Sequence, residues 1–341
     1  MREVIWIRRL ALIGAILCFG VVVLGGYTRL SDSGLGCPDW PGCFGHVAPT
    51  GSAEHYATEA DVRKAWIEMI HRYAAGTLGL IILVIAALSI VARRERGVNV
   101  WFGLVLLALV VFQGILGMLT VTWLLKPLIV TGHLLGGLTT FALLLWLWLT
   151  LRSYDRPVDG YSVLAGNTVA NGGRRARLWA GLALIALAIQ VALGGWTSSN
   201  YAAMACPDLP KCQAQWIPDA DYGDAFVLWR GLGINYAGGV LDHPARVAIH
   251  FTHRVGALIA TILLVLAAVA ASRNLGPGPR WAGAAVLVAL ALQISAGVFM
   301  VLRAFPLELA AAHNAGAALL VGAAIWLNRA LRPVADFRRS I

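Results

Sequence analysis

Residues 11–30 read ALIGAILCFGVVVLGGYTRL, an apolar run without a charge before Arg29 that ends in Gly25-Gly26-Tyr27-Thr28. Residues 178–197 read LWAGLALIALAIQVALGGWT and end in Gly194-Gly195-Trp196-Thr197, at a shift of 169. Each run reaches the length of about 18 uncharged residues that a membrane-spanning helix needs. Six further runs do so, and the reading predicts eight spans at about 10–30, 66–92, 101–122, 129–151, 178–197, 247–271, 281–302 and 307–328. Of the 341 residues, 59% are hydrophobic and only 13% charged, more apolar surface than a soluble domain hides. Lipid offers backbone groups no partner, so helices are the natural spanning element. Arg8 and Arg9 precede the first run as they would in a signal peptide, but no A-x-A-like cleavage site follows. The first run is therefore read as a retained helix, and the fold class as an all-α polytopic membrane protein.

The net charge of +10 does not imply nucleic acid. Arg2, Arg8, Arg9, Arg93, Arg94, Arg96, Arg152, Arg156, Arg174, Arg175, Arg177, Arg273, Arg280, Arg329, Arg332, Arg338 and Arg339 fall on one side of the expected topology. The opposite loops are longer and carry few basic residues. This positive-inside pattern predicts a multi-pass plasma-membrane protein with both termini cytoplasmic.

Two cysteine loops then lie outside, where disulfides persist. GLGCPDWPGC at 34–43 and AMACPDLPKC at 203–212 place Cys37 and Cys43 six apart, and Cys206 and Cys212 likewise. A bridge closing so short a loop contributes about 2 kcal/mol on the loop-entropy model. That is too little to hold eight helices together, so the bridges shape loops or perform thiol chemistry. Cys18, inside the first span, reads as an inert packing residue.

The echo extends along the chain. IHRYAAG at 70–76 resembles THRVGAL at 252–258, a shift of 182, and Gln113, Gly117 and His133 match Gln293, Gly297 and His313 at a shift of 180. The chain reads as two pseudo-symmetric four-helix bundles. Each has an even number of spans, so the internal repeat is parallel. The expected domains are 1–151 and 178–341, joined by a polar cytoplasmic linker at 152–177 that is rich in Gly and Asn and read as flexible.

Of the eight histidines, His46, His55 and His243 fall in expected outer loops and read as solvated. His71, His133, His250, His253 and His313 fall in spans, where ionisable groups are costly and default to a functional role. His71, His133, His253 and His313 each sit about four to six residues past the outer end of their span, one shared level within ~10 Å of the surface. Two helices of each repeat thus present one imidazole each at equal depth, which suits axial ligation of a heme iron. Zinc would want a third or fourth His, Cys or carboxylate close by, and the apolar helices around each pair offer at best one. Arg72 follows His71 and Arg254 follows His253. Both are placed to pair with heme propionates or to reach lipid head groups. Glu68 lies three residues before His71, on the same face, where the second half has His250. Glu68 is either an interfacial carboxylate paired with Arg72 or Lys64, or a proton acceptor and stabiliser of positive charge that makes the first half the reactive one.

With Cys37-x5-Cys43, Glu68-x2-His71-Arg72, His133, His253-Arg254 and His313 in view, the chain resembles the heme A synthase family over nearly its whole length. The resemblance implies an oxidoreductase of the bacterial inner membrane that converts heme O to heme A for terminal oxidases, turning one porphyrin methyl into a formyl group. It implies that His71 and His133 bind the substrate heme, and that His253 and His313 ligate a heme b. It gives Glu68 the place of the essential carboxylate, and implies a Cys37–Cys43 pair and, in some members, a Cys206–Cys212 pair. It assigns His250 no role. Heme O synthase is the pathway partner it implies, and an electron acceptor is required, a quinone being one candidate. If both His71 and His133 ligate iron, no axial position is open for oxygen, and water is the expected source of the formyl oxygen.

Three other readings use parts of the same pattern. A bis-histidine b-type cytochrome carrying electrons from quinol explains the four imidazoles and leaves Glu68 unexplained. A thiol oxidoreductase would use the outer cysteines, which lack C-x-x-C spacing. A transporter shares the parallel repeat and leaves the histidine level unexplained.

Overall fold

The computed structural model describes residues 2–49, 58–95, 98–154, 168–273 and 275–332. His55, Arg96, Arg156, Arg338 and Arg339 lie outside the described residues, as does the middle half of the expected linker, 155–167. Among the described residues, eight helices are long and apolar enough to cross a membrane. They are α1 Arg2–Leu30, α2 Glu59–Val91, α3 Val100–Thr122, α4 Pro127–Tyr154, α5 Thr168–Ser199, α7 His243–Ser272, α8 Pro277–Leu302 and α9 Leu307–Ala330, with a single turn, α6 Tyr222–Ala225, before α7. Ile16, Leu80, Val105, Ile185, Leu258, Val288 and Leu292 point outward and stay exposed, as lipid-facing side chains should. The chain is a multi-pass, all-helical membrane protein.

Several helices outrun the apolar windows. α2 starts at Glu59 because Thr58 and Asp61 form a reciprocal capping box, Thr58 Oγ1 accepting the Asp61 amide at 3.3 Å and Asp61 Oδ2 the Thr58 amide at 3.0 Å. Its polar first turns lie beyond the hydrophobic stretch. α7 likewise opens at His243, which is therefore a helix residue and not a loop residue, its Nε2 lying 3.1 Å from Gln213 Nε2. The expected linker is helical at both ends, since α4 runs to Tyr154 and α5 starts at Thr168.

In the first half, α1 packs on α2 and α4, and α3 on α2 and α4; in the second, α5 packs on α7 and α9, and α8 on α7 and α9. α1 and α4 meet α9, and α4 also meets α5, so four helices make the seam between halves. The α3–α4 and α8–α9 connections have one geometry. Leu124 and Leu125, like Ala304 and Phe305, take positive φ, and Leu125 N donates to Thr120 O as Phe305 N does to Met300 O, both at 2.8 Å. At the same end, Arg29 of α1 donates to Ser198 O at 2.9 Å and stacks 4.2 Å from the Tyr201 ring. The chain between the second cysteine loop and α7 also crosses to the first half. Tyr236 N donates to Leu124 O at 3.1 Å, and Lys126 donates to Gly231 O with its Nζ 3.2 Å from the Trp229 ring centroid.

The largest buried cluster occupies the end away from the cysteine loops. It stops at Val22 on α1, Leu78 on α2, Leu138 on α4, Val191 on α5, Leu264 on α7 and Ala318 on α9. Smaller clusters form beneath the loops, one of Cys37, Cys43, Ala65 and Met69, another of Ala205, Cys206, Cys212 and Val247. Cys18 is free, buried in the main cluster and inert, its Sγ 3.6 Å from Gly137 O. The first loop sits directly on α2. A Cβ on Gly36 would lie 2.7 Å from the Lys64 carbonyl carbon and 2.8 Å from the Ala65 nitrogen, backbone that cannot yield. Gly36→Ala should therefore cost about 1–3 kcal/mol as an overpacking change, read as a lowered thermal midpoint in detergent. An unchanged midpoint would mean that the loop lifts from α2 freely.

Candidate functional site

The four expected imidazoles lie between the loop clusters and the main cluster, His71 between Met69 and Leu78 on α2 and His253 between Val247 and Leu264 on α7. Each rests against a glycine of a neighbouring helix. An added Cβ would come within 2.8 Å of His71 at Gly25, 3.4 Å of His133 at Gly117, 3.1 Å of His253 at Gly194 and 3.0 Å of His313 at Gly297. At Gly25, Gly194 and Gly297 a Cβ would force the ring to shift, at Gly117 it would only touch the ring, and the four contacts follow the sequence repeat. The His71 and His133 ring centroids are 6.4 Å apart with planes at 84°, and His253 and His313 hold the matching places in the second half. All four histidines are half-buried, and the main buried cluster stops short of their level.

His71, His133 and His313 each keep a buried Nδ1 without a hydrogen-bond partner among the described residues. The carbonyls of Val21, Gln113 and Gln293 lie beside the same three rings. A carbonyl beside an imidazole is the outer partner that fixes the tautomer and orientation of a metal-ligating histidine. Paired neutral imidazoles on facing helices, each against a glycine, fit a heme iron. Among the described residues no cluster of three or more His, Cys, Asp or Glu side chains could hold a metal ion, so a zinc site has less to recommend it.

Glu68 is 4% exposed on α2. Its Oε2 accepts the Cys37 amide at 3.0 Å and its Oε1 pairs with Arg72. Arg72 Nη1 also donates to the carbonyls of Asp39 at 2.9 Å, Pro41 at 3.2 Å and Gly42 at 2.5 Å. Of the two partners expected for Glu68, the structure brings up Arg72. The arginine faces the cysteine loop first. Arg254 does the same in the second half, donating to Cys206 O at 2.7 Å, Asp208 O at 2.7 Å and Lys211 O at 2.8 Å.

His250, 5% exposed, stands where Glu68 does. The Cys206 amide reaches its Nδ1 at 3.3 Å and Arg254 Nε its Nε2 at 3.3 Å. Two donors face the ring, so it is held neutral, and only one of them is accepted at a time. The match of position was legible in the sequence; the shared grip on the first cysteine of each loop was not.

Both bridges are formed, Cys37–Cys43 and Cys206–Cys212. Within the loops, Asp39 accepts the amides of Phe44 and Gly45, both at 2.7 Å. Asp208 accepts those of Gln213 at 2.8 Å and Ala214 at 2.9 Å. Desolvation would raise the Asp39 carboxyl, but the amides of Gly45 and Phe44, with the Arg72 charge, outweigh it and hold it below the ordinary carboxylate value. Asp208 is lowered likewise, its desolvation outweighed by the amides of Ala214 and Gln213 and the charge of Arg254. A depressed folded value means that the carboxylate stabilises its loop above the unfolded value of about 3.9, a contribution lost as pH falls through the lower folded value. Exchange at the Phe44, Gly45, Gln213 and Ala214 amides, corrected for intrinsic rate, should be steady down to about pH 5 and rise below about 4. Asp39→Ala should raise exchange at Phe44 and Gly45 about tenfold at neutral pH; unaltered protection would remove the carboxylate from this account.

Comparison with known proteins gives one consistent answer. The family model described as cytochrome oxidase assembly protein, COX15-CtaA, matches residues 8–325. A protein of Shewanella oneidensis named Heme A synthase is 40% identical over 339 residues, covering 96% of each chain. Proteins of the same name from Rhizorhabdus wittichii and Caulobacter vibrioides are each 29% identical, the first covering 94% of this chain and 92% of its own, the second 91% of each.

Proposed function

The chain belongs to the COX15-CtaA family of cytochrome oxidase assembly proteins, and we propose that it is a heme A synthase that oxidises one methyl group of heme O to the formyl group of heme A. The observation that supports this most is the set of paired imidazoles, each seated on a glycine, at the level where the main buried cluster ends.

In this reading the N-terminal half, 1–151, carries the substrate site and the C-terminal half, 178–341, the resident cofactor. His71 and His133 hold heme O, and His253 and His313 hold heme b. Heme b would supply a one-electron carrier between the substrate and an acceptor of quinone type. Taking a methyl to a formyl with water as the oxygen source releases electrons and protons in equal number, so the site needs a proton acceptor. Glu68 is the carboxylate on the substrate side, three residues from His71 on the same face. Its carboxylate holds a released proton, and Arg72 and the Cys37 amide fix its position. Arg72 and Arg254 would meet a propionate only while still holding their loop carbonyls. The cysteine pairs act as staples that present the Cys37 and Cys206 amides to Glu68 and His250. The protein would sit in the bacterial inner membrane with its termini cytoplasmic and its cysteine loops outside. Its heme O would come from heme O synthase.

Expression with a heme O source, purification and mass identification of the extracted hemes tests this. Heme A or hydroxylated heme O beside heme B is expected; heme B alone, with heme O shown to be available, would favour a plain electron carrier. His71→Ala should lose heme O and product while keeping heme B, and His253→Ala should lose heme B. Glu68→Gln should keep both hemes and lower product formation about 10²- to 10⁴-fold, the range of a lost general base.

A further inference from the structure

Three glutamines lie beside the imidazoles, and they are not equivalent. In the second half, Gln190 Nε2 lies 3.0 Å from His253 Nδ1 and donates to the His253 carbonyl at 3.0 Å. Gln293 Nε2 lies 3.1 Å from His313 Nε2. Each leaves only its Oε1 without a partner. In the first half the position of Gln190 is taken by Val21, and that of Gln293 by Gln113. Gln113 is 8% exposed, and neither its Nε2 nor its Oε1 has a hydrogen-bond partner among the described residues.

Gln113 is aimed at the seam beneath His133. A Cβ on Gly136 would lie 1.8 Å from Gln113 Nε2, so the amide is laid across α4 at that glycine. Gly117, one turn further along α3, faces the His133 ring itself. The amide therefore lies at the level of Gly136, three residues past His133 along α4, on the side away from the cysteine loops. A buried amide with both ends unpaired is rare in native proteins and calls for a partner. It offers one donor end and one acceptor end, and a hydroxyl is the small group that can use either.

Heme O and heme B share the iron, the propionates and the methyl groups. Heme O carries a hydroxylated farnesylethyl substituent where heme B has a vinyl. The propionates are charged and belong at the polar cysteine-loop end; the apolar tail belongs toward the main buried cluster. The hydroxyl at the root of that tail is the polar group available on Gln113's side. We propose that Gln113 selects the substrate by pairing with this hydroxyl, so that the first site takes heme O over heme B. In the second half Gln293 is engaged by His313, and that site takes heme B. A pocket built to bond a hydroxyl rejects the analogue that lacks it, because the amide is then left buried and unpaired. This inference rests on the reading of the two imidazole pairs as heme sites.

The test uses the full chain carrying His253→Ala, so that extracted heme reports the first site. Cells supply both hemes, and the ratio of heme O and its oxidised products to heme B is measured by mass. Gln113→Leu and the straighter Gln113→Met, made in that background, should shift the ratio toward heme B about tenfold or more. The same substitutions in the otherwise native chain should keep second-site heme B, which reports a folded protein. An unchanged ratio would overturn the proposal. So would an equal loss of both hemes, which would make Gln113 a support for His133. Absence of any heme in the His253→Ala parent and the native chain would overturn the heme reading itself.

Discussion

One guanidinium in each half gathers the carbonyls of a loop that neither helix nor lipid can satisfy. Irregular backbone at the edge of a membrane has to find its hydrogen bonds within the protein. Arg72 takes the carbonyls of Asp39, Pro41 and Gly42, and Arg254 those of Cys206, Asp208 and Lys211. The disulfide alone, at about 2 kcal/mol, would leave such a loop poorly shaped. Because each arginine follows a histidine directly in the chain, the loop is set in register with the imidazole beneath it. The cap, the helix and the site are thereby one unit in each half.

The same frame explains how the halves diverge. Glu68 and His250 both take the amide of the first loop cysteine and both meet the neighbouring arginine. The structural duty is thus met by a carboxylate in one half and by a neutral imidazole in the other. Only the carboxylate brings a negative charge close to its arginine and its histidine level. A duplicated scaffold can keep its packing while one position changes the chemistry available next to it, since the loop needs an acceptor and not a charge.

The spans were legible because lipid imposes long apolar runs, and the repeat because Gly-Gly-x-Thr, the cysteine loops and the histidines recur at nearly constant shifts. The true starts of α2 and α7 were hidden, because Glu59–Lys64 are polar and start from a capping box, and the turn at His243 is polar and starts from a proline in its first turn. The arginines were read as free to meet propionates or head groups, because a hydrophobicity pattern carries no record of where loop carbonyls point. His250 was matched to Glu68 by position, yet its acceptor role depends on a backbone amide 44 residues away. Gln113 and Gln293 were paired by their spacing, and only the packing separates them, one touching its histidine and the other not.

The segment that crosses from the second half to the first bears on the order of assembly. Leu124 O and Lys126 Nζ belong to the turn between α3 and α4, but their partners, Tyr236 N and Gly231 O, lie more than a hundred residues later, as the 105-residue separation of Lys126 and Gly231 records. During synthesis the rim of the first bundle stays open through the making of α4 and α5. It closes only when the chain beyond the second cysteine loop has emerged. The rim of the bundle made first is therefore closed by chain that belongs to the second, before α7, α8 and α9 are made, and a chain stopped before Gly231 would leave the Lys126 cation without the carbonyl that holds it.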